Sequence, residues 1–324
     1  MVGEFSHFLD RFNTIQLPPE GGGNSSSWIA LRADFGSVEG KLHRPKTESR
    51  KLLIFEPGFP GDGSTRLEKI WLSKLLESGY TVFAARHCGT KVNGKHSAIY
   101  LNCPERQAVT TSDNDLLGLG TEFTIADWLK EPQVSLKILS PFFENIYLMG
   151  HSFGPLALFN SLIEFFIISP EEADKVQRII SLAGTLGRIK RENDPILEQW
   201  RKYMSMPIQQ EKIAIGEVEK NIEILKQVYS AIHTEFACVP TSTDLIFVNA
   251  WGRANDSEDE LVSPIGTLDF LLTTRRGAWL IDAKEQADPQ QNRLAHDMEN
   301  LTGEELLNLI EGEIEPGLSL SLLS

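Results

Sequence analysis

The 324-residue chain predicts an α/β fold: a doubly wound, mainly parallel sheet carrying a helical insertion. Three observations lead there. Short apolar segments alternate with helix-like ones from Lys51 to Leu182, the rhythm of βαβ units. The pentapeptide Gly150-His151-Ser152-Phe153-Gly154 stands between a β-prone run, Ile146 to Met149, and a run beginning Pro155-Leu156-Ala157 that is suited to open a helix. The rhythm then breaks over residues 185–237 and resumes with two more apolar segments.

Taken in order, a Gly/Ser-rich loop (residues 20–27) precedes two strands, Trp28 to Asp34 and Val38 to His43, that turn at Phe35-Gly36-Ser37. Lys51 to Glu56 is an apolar strand stopped by Pro57-Gly58. Leu67 to Ser78 has Leu67, Ile70, Trp71 and Leu75 at helical spacing and closes on Gly79, a C-cap signal. Tyr80 to Ala85 is the next strand, and residues 86–119 read as a long loop of the kind that usually serves function. Glu122 to Lys130 reads as helix, Asn145 to Met149 as strand, Pro155 to Ile168 as buried helix and Val176 to Leu182 as strand. Residues 185–237 hold two or three helical stretches, interrupted at Met204-Ser205-Met206-Pro207. Thr243 to Ala250 and Gly277 to Asp282 are the last strands, and Gly303 to Ile314 is an amphipathic helix. The expected organisation is a core of residues 1–184 and 238–324 with residues 185–237 inserted as a helical cap.

Hydrophobic residues at 41% and charged residues at 23% suit a soluble globular protein. A net charge of -14 argues against nucleic acid and against anionic lipid as partners. Three cysteines, Cys88, Cys103 and Cys238, are too few and too irregular for a disulfide framework and suggest a reducing compartment. The N-terminal residues lack the basic and apolar regions of a signal peptide, so a cytoplasmic location is expected. The longest apolar stretch, Leu156 to Ile168, contains Asn160, Ser161 and Glu164 and is too short to span a bilayer.

In a strand–turn–helix setting, G-x-S-x-G places a serine hydroxyl above the sheet edge, and its glycines admit the close backbone approach. A serine needs a base and an orienting group to act as nucleophile. Of seven histidines, His151 adjoins Ser152 but is expected to point its side chain away from it. His87 and His96 fall in the long loop beside Cys88 and Cys103, while His7, His43 and His233 lie off the strand ends. His296 follows the last strand, in Leu294-Ala295-His296-Asp297-Met298, near where ligands gather in doubly wound sheets. In the loop after Ala250, Asp256, Glu258, Asp259 and Glu260 crowd together, and most must be solvated.

Ser152, then an acid, then His296 is the chain order of the α/β-hydrolase superfamily, which this sequence resembles over about residues 28–315. Asp259-Glu260-Leu261-Val262-Ser263-Pro264 is similar to its acid loop, and Leu53 to Gly61 to its third strand and oxyanion turn. Gly79 to Gly89 resembles, in degraded form, the following strand and its Asp-x-Arg-Gly-x-Gly loop. The resemblance implies a serine hydrolase that cleaves a carboxylic ester or thioester of a small-molecule acyl substrate through an acyl-enzyme, with no cofactor and no metal. It implies Ser152 as nucleophile, His296 as base and Asp259 as acid, with Asp256 the alternative. It also implies an oxyanion hole made by the backbone N–H groups of Phe59 and Phe153, whose rings either line an acyl pocket or pack in the core. Two departures stand out. Pro57-Gly58, preceded by Glu56, replaces the His-Gly of many members, and Glu56 near the end of a buried strand is expected to need a partner. Pro155 replaces a second glycine, without loss at a helix start.

Other readings compete. The same triad serves acyltransferases and peptidases, and a binding protein can keep the fold without the chemistry. His87, Cys88, His96 and Cys103 are zinc-type ligands, but their spacing is not that of a zinc site. A Cys-His nucleophilic pair in the same loop lacks an orienting group.

Overall fold

The computed structural model describes residues 14–17, 24–34, 36–61, 64–87, 91–92, 95–96, 124–207, 209, 216–251, 259, 261–283 and 295–312. Its strands are β1 (Thr14–Leu17), β2 (Ser25–Ala33), β3 (Gly36–Arg44), β4 (Lys51–Glu56), β5 (Tyr80–Arg86), β6 (Lys91–Val92), β7 (Lys95–His96), β8 (Asn145–His151), β9 (Val176–Leu182), β10 (Asp244–Asn249) and β11 (Trp279–Asp282). Its helices are α1 (Ser64–Glu77), α2 (Ile125–Leu129), α3 (Glu131–Leu139), α4 (Gly154–Ile168), α5 (Pro170–Ala173), α6 (Pro195–Met204), α7 (Val218–Thr234), α8 (Ile265–Thr274) and α9 (Gly303–Glu311).

One sheet runs β1-β2-β3-β5-β4-β8-β9-β10-β11, and β6 with β7 forms a separate two-stranded ribbon. β1 through β3 and the β3–β5 pair are antiparallel, and every pairing from β5 to β11 is parallel. The parallel strands need crossovers, and helices supply them. Strand residues alternate between two apolar layers. Leu52 and Ile54 of β4 face one layer with α2, α3, α4, α6 and α7, while Leu53 and Phe55 face the other with α1 and α9. The sheet is therefore covered on both sides, which explains its near-continuous apolar strands.

The two helices described between β9 and β10 are not packed on themselves alone. Leu197, Met204, Ile222, Leu225, Tyr229 and Ile232 are fully buried in the same layer as Phe159, Leu162 and Phe247. The sequence reading misses α5, the β6–β7 ribbon inside the segment read as a long loop, and also α3, α8 and β1. α3 has Pro132 in its first turn, where proline is tolerated, although in mid-segment it reads as a breaker. α8, IGTLDFLLTT, is rich in threonine and holds Gly266, so its propensity is weak. Yet β10 and β11 are parallel neighbours, which demands a crossover there. β1 is only four residues long.

Candidate active site

β8 delivers Ser152 to the carboxyl end of the sheet with φ at +57°, a left-handed backbone that costs a non-glycine residue free energy. Neighbouring backbone holds it there. Ser152 N donates to Leu182 O (2.8 Å), and Thr185 N donates to Ser152 O (3.0 Å). The flanking glycines are forced by space. A Cβ on Gly150 would lie 2.5 Å from Pro155 N, and one on Gly154 would lie 2.3 Å from Glu56 O. The turn after β4 presses on the same spot, since a Cβ on Gly58 would come within 2.8 Å of Ser152 Cβ. Among the described residues neither the Phe59 nor the Phe153 N–H meets a protein acceptor. The Phe153 N–H opens the 15-residue α4, where the helix end favours negative charge.

Asp259 and His296 come together from separate loops. Asp259 N donates to Ala250 O (3.1 Å), which keeps the acid against the end of β10. Its Oδ1 accepts from Leu261 N (2.9 Å) and Val262 N (2.7 Å), and its Oδ2 meets His296 Nδ1 at 2.8 Å. Both side chains are buried. Asp256, the alternative acid, lies outside the described residues. His151 has an unforeseen place: its Nε2 donates to His296 O (2.8 Å), and the two rings stand 5.0 Å apart. Burial lowers the His151 pKa to about 4, so the ring is neutral and Nε2 carries its proton. The serine's neighbour thus pins the loop that carries His296.

A buried polar layer lies under the turn after β4. His87 Nδ1 is 2.6 Å from Glu131 Oε2, and His87 Nε2 is 3.2 Å from Pro57 O. Trp128 stacks on the imidazole at 4.4 Å. The expected partner of Glu56 is not a hydrogen-bonding one: its carboxyl is fully buried and neither oxygen has a hydrogen bond. Burial raises its pKa well above the carboxylate range, so Glu56 is held as the neutral acid. Glu131 belongs to α3, and that is why the sequence reading missed it.

The rings of Phe59 and Phe153 are core residues, 7% and 0% exposed. Phe59 packs on Trp128 (5.5 Å), Trp200 (5.4 Å) and Tyr203 (5.5 Å), and Phe153 on Trp200 (6.0 Å). α6 therefore rests directly on Phe59 and Phe153. Among the described residues no group of three or more His, Cys, Asp or Glu side chains is placed to hold a metal ion. Both His87 nitrogens are engaged, while Cys88, Cys103 and the His96 side chain lie outside the described residues. No described helix is long and apolar enough to cross a membrane.

No protein-family model matches the chain, and no curated protein sequence matches it. Solved structures do. An esterase of Pyrobaculum calidifontis is similar at a TM-score of 0.53 and 11% identity, over 92% of this chain and 87% of that one. Est1E from Butyrivibrio proteoclasticus is similar at a TM-score of 0.50 and 15% identity, over 88% of this chain and 99% of that one. At such identities the likeness is one of fold, and the fold is that of the α/β-hydrolases.

Proposed function

We propose that this chain is a serine hydrolase cleaving a carboxylic ester or thioester of a small acyl substrate. The observation that carries the reading is the 2.8 Å Asp259–His296 hydrogen bond, with His296 O held by His151, the residue before a serine at positive φ. In this reading Ser152 Oγ attacks the acyl carbon while His296 Nε2 takes its proton. Asp259 keeps the proton of His296 on Nδ1 and stabilises the imidazolium that forms. The N–H groups of Phe59 and Phe153 receive the developing oxyanion. His296 then protonates the leaving alcohol or thiol, and Ser152 is left acylated. Water, deprotonated by His296, attacks the acyl group, and the acid departs as Ser152 regains its proton. Every step uses side chains or amides of the chain itself, and no cofactor or metal enters.

The Pyrobaculum calidifontis neighbour is named as an esterase, which agrees with ester cleavage and carries no more than the fold. The helices of residues 185–237 act in this reading as a cap, with Trp200 and Tyr203 of α6 bounding the acyl side of the site. The test is hydrolysis of nitrophenyl esters of graded acyl length by the purified chain and by Ser152→Ala. The variant is expected to fold and to lose at least roughly 10³-fold in kcat. A variant that keeps more than about a tenth of the activity would send the search to another nucleophile.

A further inference from the structure

Three buried titratable side chains, Glu56, His87 and Glu131, lie beneath the oxyanion turn without touching the proposed triad. All three are fully shielded from solvent. They come from different elements: the end of β4, the residue after β5 and the first turn of α3. Charges cost heavily at such depth unless they are paired or neutralised.

The hydrogen bonds and the burial of the ring together place the protons. Pro57 O is a carbonyl and only accepts, so His87 Nε2 carries hydrogen and donates to it. In a neutral imidazole the other nitrogen is then an acceptor. With the buried ring neutral, Glu131 Oε2, 2.6 Å from His87 Nδ1, is the donor and carries a proton. Burial lowers the His87 pKa to about 3, with Arg86 adding to the effect, which agrees with a neutral ring. Glu56, next to Glu131, is neutral as well. Stacked Trp128 and edge-on Phe153 leave the imidazole no room to turn.

We propose that His87 is a positioning residue for the oxyanion turn: clamped between a protonated Glu131 and the Pro57 carbonyl, it fixes the Pro57–Gly58 peptide and so aims the Phe59 N–H. Pro57 is where the backbone leaves β4, and Phe59 follows two residues later. A peptide held by its carbonyl has its plane set. An oxyanion donor must be preorganised, because donors that reorient during reaction lose most of their effect. The clamp is neutral throughout, so it leaves no net charge beside the developing oxyanion. The kinetic part of the inference rests on the proposed hydrolysis, and the tautomer does not.

The experiment is nitrogen NMR of the chain with labelled histidine, His87 being assigned by its loss in His87→Gln. The expected result is one protonated and one bare ring nitrogen, Nε2–H, unchanged from pH 5 to 9. An imidazolium with both nitrogens protonated, or an Nδ1–H ring, overturns the proposal whatever reaction the chain performs. A correct tautomer beside a chain that cleaves no ester counts against the hydrolase reading alone. The kinetic arm compares Glu131→Leu with Glu131→Gln. The leucine variant leaves Nδ1 without a donor, and kcat is expected to fall roughly tenfold at little-changed KM. The glutamine amide donates to Nδ1 again and is expected to recover most of that loss. Equal kcat in folded leucine and glutamine variants overturns the positioning role. If the leucine variant does not fold, the tautomer of the unaltered chain still decides.

Discussion

The two oxygens of Asp259 do different work. Oδ1 takes two backbone N–H groups, which fixes the carboxylate, and Oδ2 faces His296 Nδ1. Asp259→Asn keeps the first role, because an amide oxygen still accepts from Leu261 and Val262. Its NH2 must then point at Nδ1, which becomes an acceptor, and the proton of His296 moves to Nε2. A base carrying hydrogen on Nε2 cannot take one from Ser152. Asp259→Asn is therefore expected to lower kcat by roughly 10⁴ while the fold survives. Asp256→Asn is expected to change little in the same ester assay. A collapse in Asp256→Asn beside a near-normal Asp259→Asn would reassign the acid. The order and spacing of residues made Ser152, Asp259 and His296 legible as candidates. His151 was not legible in its role of holding His296 O, because a backbone partner 145 residues away leaves no trace in sequence.

At the scale of elements, α6 and α7 are tied to the Ser152 turn by a short polar chain. Trp200 Nε1 donates to Tyr229 OH (3.0 Å), and Tyr229 OH meets Thr185 Oγ1 at 2.5 Å. Thr185 N donates to Ser152 O. Having accepted from Trp200, the Tyr229 hydroxyl has its own proton free for Thr185. Tyr229→Phe removes the middle of this chain and leaves the buried indole N–H without an acceptor. The expected loss is about 1–3 kcal/mol of unfolding free energy, read by urea titration, with a smaller effect on KM. An unchanged urea midpoint would show that the two helices are secured by apolar packing alone. The alternating strands and helices of the core were legible because each buries a periodic apolar face. α3 and α8 were not, one hidden by Pro132 and the other by weak propensity overridden by the parallel β10–β11 pairing. The loss of α3 concealed Glu131 and with it the His87 clamp.

The whole molecule carries several histidines that fold as neutral rings. Burial lowers His43 to about 4, His87 to about 3 and His151 to about 4, from 6.5. Below pH 6.5 the unfolded chain binds protons that the native chain refuses, so stability falls as pH drops toward 4. Glu56 works the other way. Its raised pKa means that the native chain holds a proton the unfolded chain gives up above 4.5, so its contribution falls as pH rises. Between pH 4.5 and 6.5 these three histidines, with His233 lowered as well, oppose two carboxyls, Glu56 and the protonated Glu131. The net slope approaches about 1–3 kcal/mol per pH unit, a sizeable share of a typical domain's stability. Urea midpoints are expected to drop steeply from pH 6.5 to 4.5, and a flat profile would contradict the neutral buried histidines.

The central claim is that the fold presents Ser152 as a nucleophile activated by His296. Labelling with a fluorophosphonate, followed by mass mapping of the modified peptide, tests it most directly. The probe reacts only with a serine whose base and oxyanion donors are in place. One adduct on Ser152 is expected, absent in Ser152→Ala and formed far more slowly in His296→Ala. A folded chain that takes no label, or one that takes it on another residue, would contradict the account.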